Sequence, residues 1–258
     1  MIHGAFCGGW AFEEFARPFK RAGFAVQTPS LRHHDCGAHP PEALAQTSLL
    51  DYADDLAALI GKLNEKPILL GHSLGGLLAQ MLAARGLARA TVLLAPSAPW
   101  GVVATTFFEM ASAQAMFLTG DFWNRVLPPR FDIAAANSLD KLSDQERQAV
   151  YERFVPESGL ATFETMLWAI DAKRASEVQA RDVVCPLLCL AGEKDQINPP
   201  STVRRIAARY GGRAVFEELA GKSHWLIGER GWESVAARVL KWLDGVLART
   251  PERRTTVA

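Results

Sequence analysis

The chain has 258 residues, 49% of them apolar and 22% charged, the balance of a soluble globular protein; disordered, collagenous and disulfide-scaffold classes are excluded. Lys and Arg number 28 against 28 Asp and Glu, so no net field holds the molecule on phosphate backbones or anionic lipid, and neither nucleic-acid nor membrane binding is expected. At the usual ~150 residues per domain, this length suits one large domain or a core with an insertion.

Met1 and Ile2 run straight into His3-Gly4, with no basic stretch, apolar h-region or cleavage site, and no window approaches ~18 uncharged apolar residues. The cysteines, Cys7, Cys36, Cys185 and Cys189, lack metal-ligand spacing and suit a reducing compartment. A cytoplasmic protein without cofactor or metal is expected.

Short apolar runs ending in glycine or proline then alternate with segments of helical period, the pattern of an α/β protein with a mainly parallel sheet. Strands are predicted at 24–28, 67–70, 91–94, 186–190 and 214–219, the last more alternating and so nearer an edge. Helical stripes fall on Leu49, Ala53, Leu56, Ile60 and Leu63, on Leu74, Leu77, Leu78, Met81 and Leu82, and on Trp232, Val235, Val239, Trp242 and Val246.

Between 98 and 182 the alternation stops. Helical patterns, Pro128-Pro129 and Pro156, and aromatics such as Trp100, Phe107, Phe117, Trp123, Phe154 and Trp168 suggest an inserted helical cap, its rings forming a small core of their own or lining an apolar pocket. The expected organisation is a core of 1–97 and 183–249, a cap of 98–182 and a flexible tail of 250–258, where Arg249, Arg253 and Arg254 read as a solvated end.

Gly71-His72-Ser73-Leu74-Gly75 sits between an apolar strand and an amphipathic helix, the context of a nucleophile elbow. A serine on so tight a turn is strained, and its flanking positions tolerate little more than hydrogen as a side chain. The hydroxyl needs a base, and the base needs a carboxylate to fix its tautomer. His224, in the loop after the last predicted strand, lies on the same carboxyl edge of the sheet as Ser73 and is the expected base. Asp195 follows the strand at 186–190 and reaches that edge too; Glu193 is its rival, and Asp171 and Asp182 belong to the insertion. Asp195 could also serve simply as a turn residue ahead of Pro199. His72 is read as structural. His33-His34-Asp35 and His39 lie in a Pro- and Gly-containing loop with no second-shell pattern, and are read as a solvated rim rather than a metal site.

His3-Gly4, Gly71-His72-Ser73-Leu74-Gly75, Gly192-Glu193-Lys194-Asp195 and Gly221-Lys222-Ser223-His224 together resemble the α/β-hydrolase superfamily along essentially the whole chain. The opening, His3-Gly4-Ala5-Phe6-Cys7-Gly8-Gly9-Trp10, is similar to that of plant methylesterases, hydroxynitrile lyases and bacterial esterases. The resemblance implies an oxyanion hole built from the backbone N–H groups of Leu74 and Ala5, with Phe6 as a neighbouring candidate. Two such donors are worth about 3–4 kcal/mol each to a developing oxyanion.

Two features depart from the pattern. In the family a complete central strand, preceded by two antiparallel strands, leads into the His-Gly turn, whereas here only Met1 and Ile2 do; the N-terminal strands are expected to be missing, leaving unpaired backbone that would invite association into a homo-oligomer. Hydroxynitrile lyases of that branch carry a lysine directly after the histidine, where this chain has Trp225, which counts against lyase chemistry. The expected function is hydrolysis of a carboxylic ester or thioester of a small to medium apolar substrate through an acyl-enzyme. A carbon–carbon bond hydrolase on the same triad, or a non-catalytic ligand-binding homologue, is the alternative.

Overall fold

The computed structural model describes residues 1–248; the basic cluster and tail expected beyond them lie outside the described residues. In chain order the elements are α1 (Ala16–Arg21), α2 (Leu49–Ile60), β1 (Ile68–His72), α3 (Leu74–Ala84), β2 (Ala90–Leu94), α4 (Phe107–Thr119), β3 (Val126–Leu127), α5 (Phe131–Asn137), α6 (Asp144–Tyr151), β4 (Glu157–Ser158), α7 (Gly159–Met166), β5 (Leu187–Gly192), α8 (Pro200–Ala208), β6 (Ala214–Leu219) and α9 (Trp232–Ala248).

The main sheet is parallel and runs β1-β2-β5-β6. All of β2 and β5 is buried and β1 nearly so, as continuous apolar runs must be when helices cover both faces. β6 exposes part of its length and forms an edge. One face packs against α2, α3 and α8 through residues such as Tyr52, Leu77, Leu82 and Ile206; the other packs against α1 and α9 through Phe15, Phe19, Val239 and Leu243. In register, His72 stands opposite Leu94, and Leu94 opposite Leu190. The loops after β1, β2, β5 and β6 therefore emerge at one edge.

Residues 24–28 are not a strand, against the expectation from their apolar pattern. A ladder needs a partner, and the 24–28 backbone makes no strand pairing among the described residues. Ile2 makes a single parallel bridge to Gly71 through Ile2 N–H to Leu70 O (2.7 Å) and His72 N–H to Ile2 O (3.1 Å), while the Met1 amino group reaches Gln27 O at 2.6 Å. On that side β1 makes this one bridge among the described residues.

Between β2 and β5 the chain forms α4 to α7 and the two-stranded β3–β4 ladder. The aromatics there pair mostly with one another: Phe122 with Trp123 and Phe163, Trp100 with Trp168, Phe131 with Tyr151. Phe154 pairs with Tyr151 and also packs on Trp10 and Trp225. None of the residues of α4 is buried, and Phe107 is 81% exposed. Among the described residues no helix is long and apolar enough to cross a membrane.

Candidate active site

At the end of β1 the chain turns through Ser73, whose φ of 52° and ψ of −119° lie where a residue with a Cβ is strained. The sheet holds it there: Ser73 N–H donates to Leu94 O at 3.0 Å, and Ser73 O accepts from Gly76 N–H at 2.8 Å and Ser97 N–H at 2.9 Å. A Cβ on Gly71 would overlap the Gly75 carbonyl, and one on Gly75 the Ile2 carbonyl, which is why the turn takes glycine at both positions. From 69 to 83 every residue but Ser73 is buried. α3, closely packed all round, presents its N-terminus to the serine, and with it the field of its dipole.

Asp195 and His224 meet. Asp195 Oδ2 lies 2.8 Å from His224 Nδ1, and both side chains are almost wholly buried. The other carboxylate oxygen, Oδ1, accepts from Ile197 N–H (2.8 Å) and Asn198 N–H (3.0 Å), so Asp195 is a turn residue and a histidine partner at once. Asn198 Nδ2 donates to Ala95 O at 2.8 Å and Lys194 N–H to Lys222 O at 2.8 Å, which tie this turn to the end of β2 and to the histidine loop. Glu193 faces elsewhere, accepting from Gly221 N–H at 2.7 Å and pairing with Lys194. Asp171 closes its own turn by accepting from Lys173 and Ala175 N–H groups, and Asp182 lies beside Arg181.

Ser73 stands beside this pair through its neighbour. His72 Nε2–H donates to His224 O at 2.9 Å, and the two rings are 5.0 Å apart. Burial first, and the nearby His224, push His72 down to about 3, so it is neutral and its role is to pin the His224 backbone. Among the described residues Ser73 Oγ has no hydrogen-bond partner.

On the other side of Ser73 lies the His3-Gly4 turn, close enough that a Cβ on Gly4 would sit 3.0 Å from Ser73 Cβ. His3 is buried and, chiefly by burial, pushed down to about 3. Its Nε2 accepts from Leu31 N–H at 2.9 Å, so the proton is on Nδ1, which donates to Gly4 O at 2.8 Å. In a trans peptide the C=O and the following N–H point opposite ways, so a bond that fixes Gly4 O also fixes the direction of Ala5 N–H. Ala5 N–H and Leu74 N–H have no partner among the described residues. Phe6 N–H does: it donates to Glu157 Oε2 at 3.3 Å, which takes Phe6 out of the candidate oxyanion donors.

A model of the alpha/beta hydrolase family matches residues 1–238. The chain belongs to this family. No curated protein matches it in sequence. Solved structures with the same fold include a methylesterase from Arabidopsis, with 14% identity, a TM-score of 0.70 and coverage of 95% of this chain and 98% of that one. A monoacylglycerol lipase from Paleococcus ferrophilus gives 22%, 0.62, and 95% and 92%. A pyrethroid hydrolase from Sphingobium faniae gives 18%, 0.67, and 94% and 95%.

Sequence reasoning missed several residues that hold the hydrolase's candidate site together. His34, expected in a solvated loop, is buried: Nε2 reaches Glu157 Oε2 at 3.1 Å and Nδ1 reaches Arg32 O at 3.0 Å. Burial pulls the imidazole down, but Glu157 outweighs it and the pKa is raised; burial pushes Glu157 up, but His34, Ser158 N–H and Tyr52 O–H together hold it low. On the far side, Ser223 N–H donates to both Glu229 carboxylate oxygens at 3.1 Å, and Ser223 Oγ to Asp140 Oδ1 at 2.6 Å. The residue before His224 is thus tied to the segment between β2 and β5. The contacts of Glu157 with His34 and Tyr52, and of Ser223 with Asp140, had no signal in the sequence, because each joins segments 83 or more positions apart. The described residues contain no cluster of three or more His, Cys, Asp or Glu side chains able to hold a metal ion.

Proposed function

We propose that the protein is a serine esterase in which Ser73 is the nucleophile, His224 its base, Asp195 the orienting carboxylate, and the Ala5 and Leu74 N–H groups the oxyanion hole. The observation that carries this reading is the 2.8 Å contact of Asp195 Oδ2 with His224 Nδ1 at the sheet edge where Ser73 stands on its strained turn. With Nδ1–H donated to the carboxylate, the lone pair of Nε2 is the basic site. Ser73 Oγ attacks the ester carbonyl as its proton passes to His224 Nε2, and the carbonyl oxygen becomes an anion facing the two unpartnered N–H groups. His224 then protonates the leaving alcohol, and water activated by the same nitrogen releases the acid. The open Ser73 hydroxyl fits a free enzyme, since catalytic hydrogen bonds commonly tighten only once substrate is bound.

We take residues 98–182 as a cap over a core of 1–97 and 183–249, and its aromatic content favours a small to medium apolar acyl or alcohol group. The names of the similar folds, a methylesterase, a monoacylglycerol lipase and a pyrethroid hydrolase, lie in that chemical range. Four free cysteines suit a cytoplasmic location. The test is labelling by a fluorophosphonate probe together with p-nitrophenyl acetate turnover. Both should be lost in Ser73→Ala, with kcat down by about 10⁴–10⁶; normal turnover by that variant would remove the assignment.

A further inference from the structure

Glu157, at the start of β4 in the insertion, is wholly buried and accepts four hydrogen bonds, one from its neighbour Ser158 and three from distant parts of the chain. Tyr52 Oη–H (2.8 Å) and Ser158 N–H (2.7 Å) donate to Oε1; His34 Nε2–H (3.1 Å) and Phe6 N–H (3.3 Å) meet at Oε2. Burying a carboxylate is costly even when it is fully paired, and apolar packing could join the insertion to the core without it. The arrangement therefore has to be judged by what it holds.

What it holds is Phe6. The insertion satisfies both backbone groups of this residue, the N–H through Glu157 and the C=O through Val155 N–H at 2.9 Å. Phe6 sits at φ 62°, a left-handed conformation that a non-glycine side chain resists and that only outside contacts keep in place. The peptide planes on the two sides of Ala5 are thus pinned independently: His3 Nδ1–H fixes the Gly4 carbonyl, and Glu157 fixes the Phe6 N–H. The Ala5 N–H lies in the first of these planes, and the second, joined to it at the Ala5 Cα, holds that plane in place from the other side. We propose that Glu157 is a positioning residue for the esterase reaction, a carboxylate lent by the insertion that turns the Phe6 N–H away from the site and braces the neighbouring peptide plane, whose Ala5 N–H His3 aims at the oxyanion. The inference rests on the esterase reading above.

Four donors converge on two anionic oxygens, and a carboxamide cannot replace them. Glu157→Gln turns an NH₂ group either on Phe6 and His34 or on Tyr52 and Ser158, and although the Tyr52 hydroxyl can turn to accept, a backbone N–H, of Phe6 or of Ser158, is left facing the NH₂ group in either orientation. In Glu157→Gln, kcat for p-nitrophenyl acetate should fall about 10- to 100-fold with KM within about threefold, because the misdirected donor acts on the oxyanion and not on the bound ester. Affinity for a trifluoromethyl ketone, which forms a tetrahedral adduct on serine, should fall by the same factor as kcat/KM, and amide exchange at Phe6 should accelerate. Should Glu157→Gln not fold, Tyr52→Phe removes one anchor of the carboxylate and leaves Phe6 untouched; kcat should then drop about threefold or more at constant KM.

An unchanged kcat in a folded Glu157→Gln, or in Tyr52→Phe if that is the only folded variant, overturns the inference. So does a loss that lies in KM alone. Wild-type protein that neither turns over ester nor takes the fluorophosphonate at Ser73 overturns the esterase reading instead, and that control is run first.

Discussion

Asp195 presents one carboxylate oxygen to His224 at 2.8 Å and the other to two backbone N–H groups of its own turn. The turn bonds fix the direction of the side chain, so the imidazole meets an acceptor already in place, and an isosteric change at Asp195 removes charge without removing shape. Asp195→Asn should fold with an unaltered KM for p-nitrophenyl acetate and a kcat lower by about 10⁴, since the amide can present an N–H to Nδ1 and favour the wrong tautomer. A loss of less than tenfold in steady-state kinetics would mean that another group orients His224.

The elbow makes a steric prediction. A methyl group at Gly75 would meet the Ile2 carbonyl, which belongs to the single bridge between the chain start and β1. Gly75→Ala should lower stability by about 1–3 kcal/mol or more, as overpacking of rigid backbone does. Thermal unfolding measures it; a melting temperature within 1 °C or so of wild type would contradict the close approach.

Acid should weaken the fold below neutrality. Burial holds His3 and His72 at about 3 against an ordinary value of 6.5, so below 6.5 the unfolded chain takes up protons that the folded chain refuses. Stability is full above 6.5 and declines towards 3, by roughly 2 kcal/mol per imidazole at pH 5. Urea titrations at pH 7 and pH 5 should show a clear fall in midpoint at constant slope; equal midpoints would rule the effect out.

The His34–Glu157 pair acts in the opposite sense on its histidine side. With its pKa raised, His34 contributes stability that is complete below 6.5 and lost as pH climbs through the folded value. With its pKa lowered, Glu157 contributes stability that is complete above 4.5 and lost as pH falls through the folded value. The pair is thus fully effective between 4.5 and 6.5. His34→Gln should flatten the alkaline decline in urea midpoint while leaving the acid limb of His3 and His72 in place. An alkaline limb of unchanged steepness in that variant would locate its source elsewhere.

The sheet and the candidate site side chains were legible in the sequence for a common reason: each is encoded within a few neighbouring residues. The runs at β1, β2 and β5 are apolar because both faces are covered, and Ser73, Asp195 and His224 each follow a strand end in a short turn with its own glycine. What could not be read is whatever depends on a distant partner. Residues 24–28 have the composition of a strand but form no ladder, and Gln27 O instead accepts from the Met1 amino group. His34 looked solvated because Glu157, which buries it, lies 123 positions away. Phe6 reads as a neighbouring oxyanion donor from its position alone, because Glu157, which accepts from its N–H, lies 151 positions away.

His3 and His72 flank the serine as neutral rings locked in opposite tautomers, the first protonated at Nδ1 and the second at Nε2. Both protons are sheltered from solvent, so each should give a slowly exchanging downfield NMR resonance, distinguishable by its nitrogen shift. The molecule therefore carries two built-in reporters, one on the peptide group preceding Ala5 and one on the loop of His224, through which occupancy of the site can be followed without adding a label.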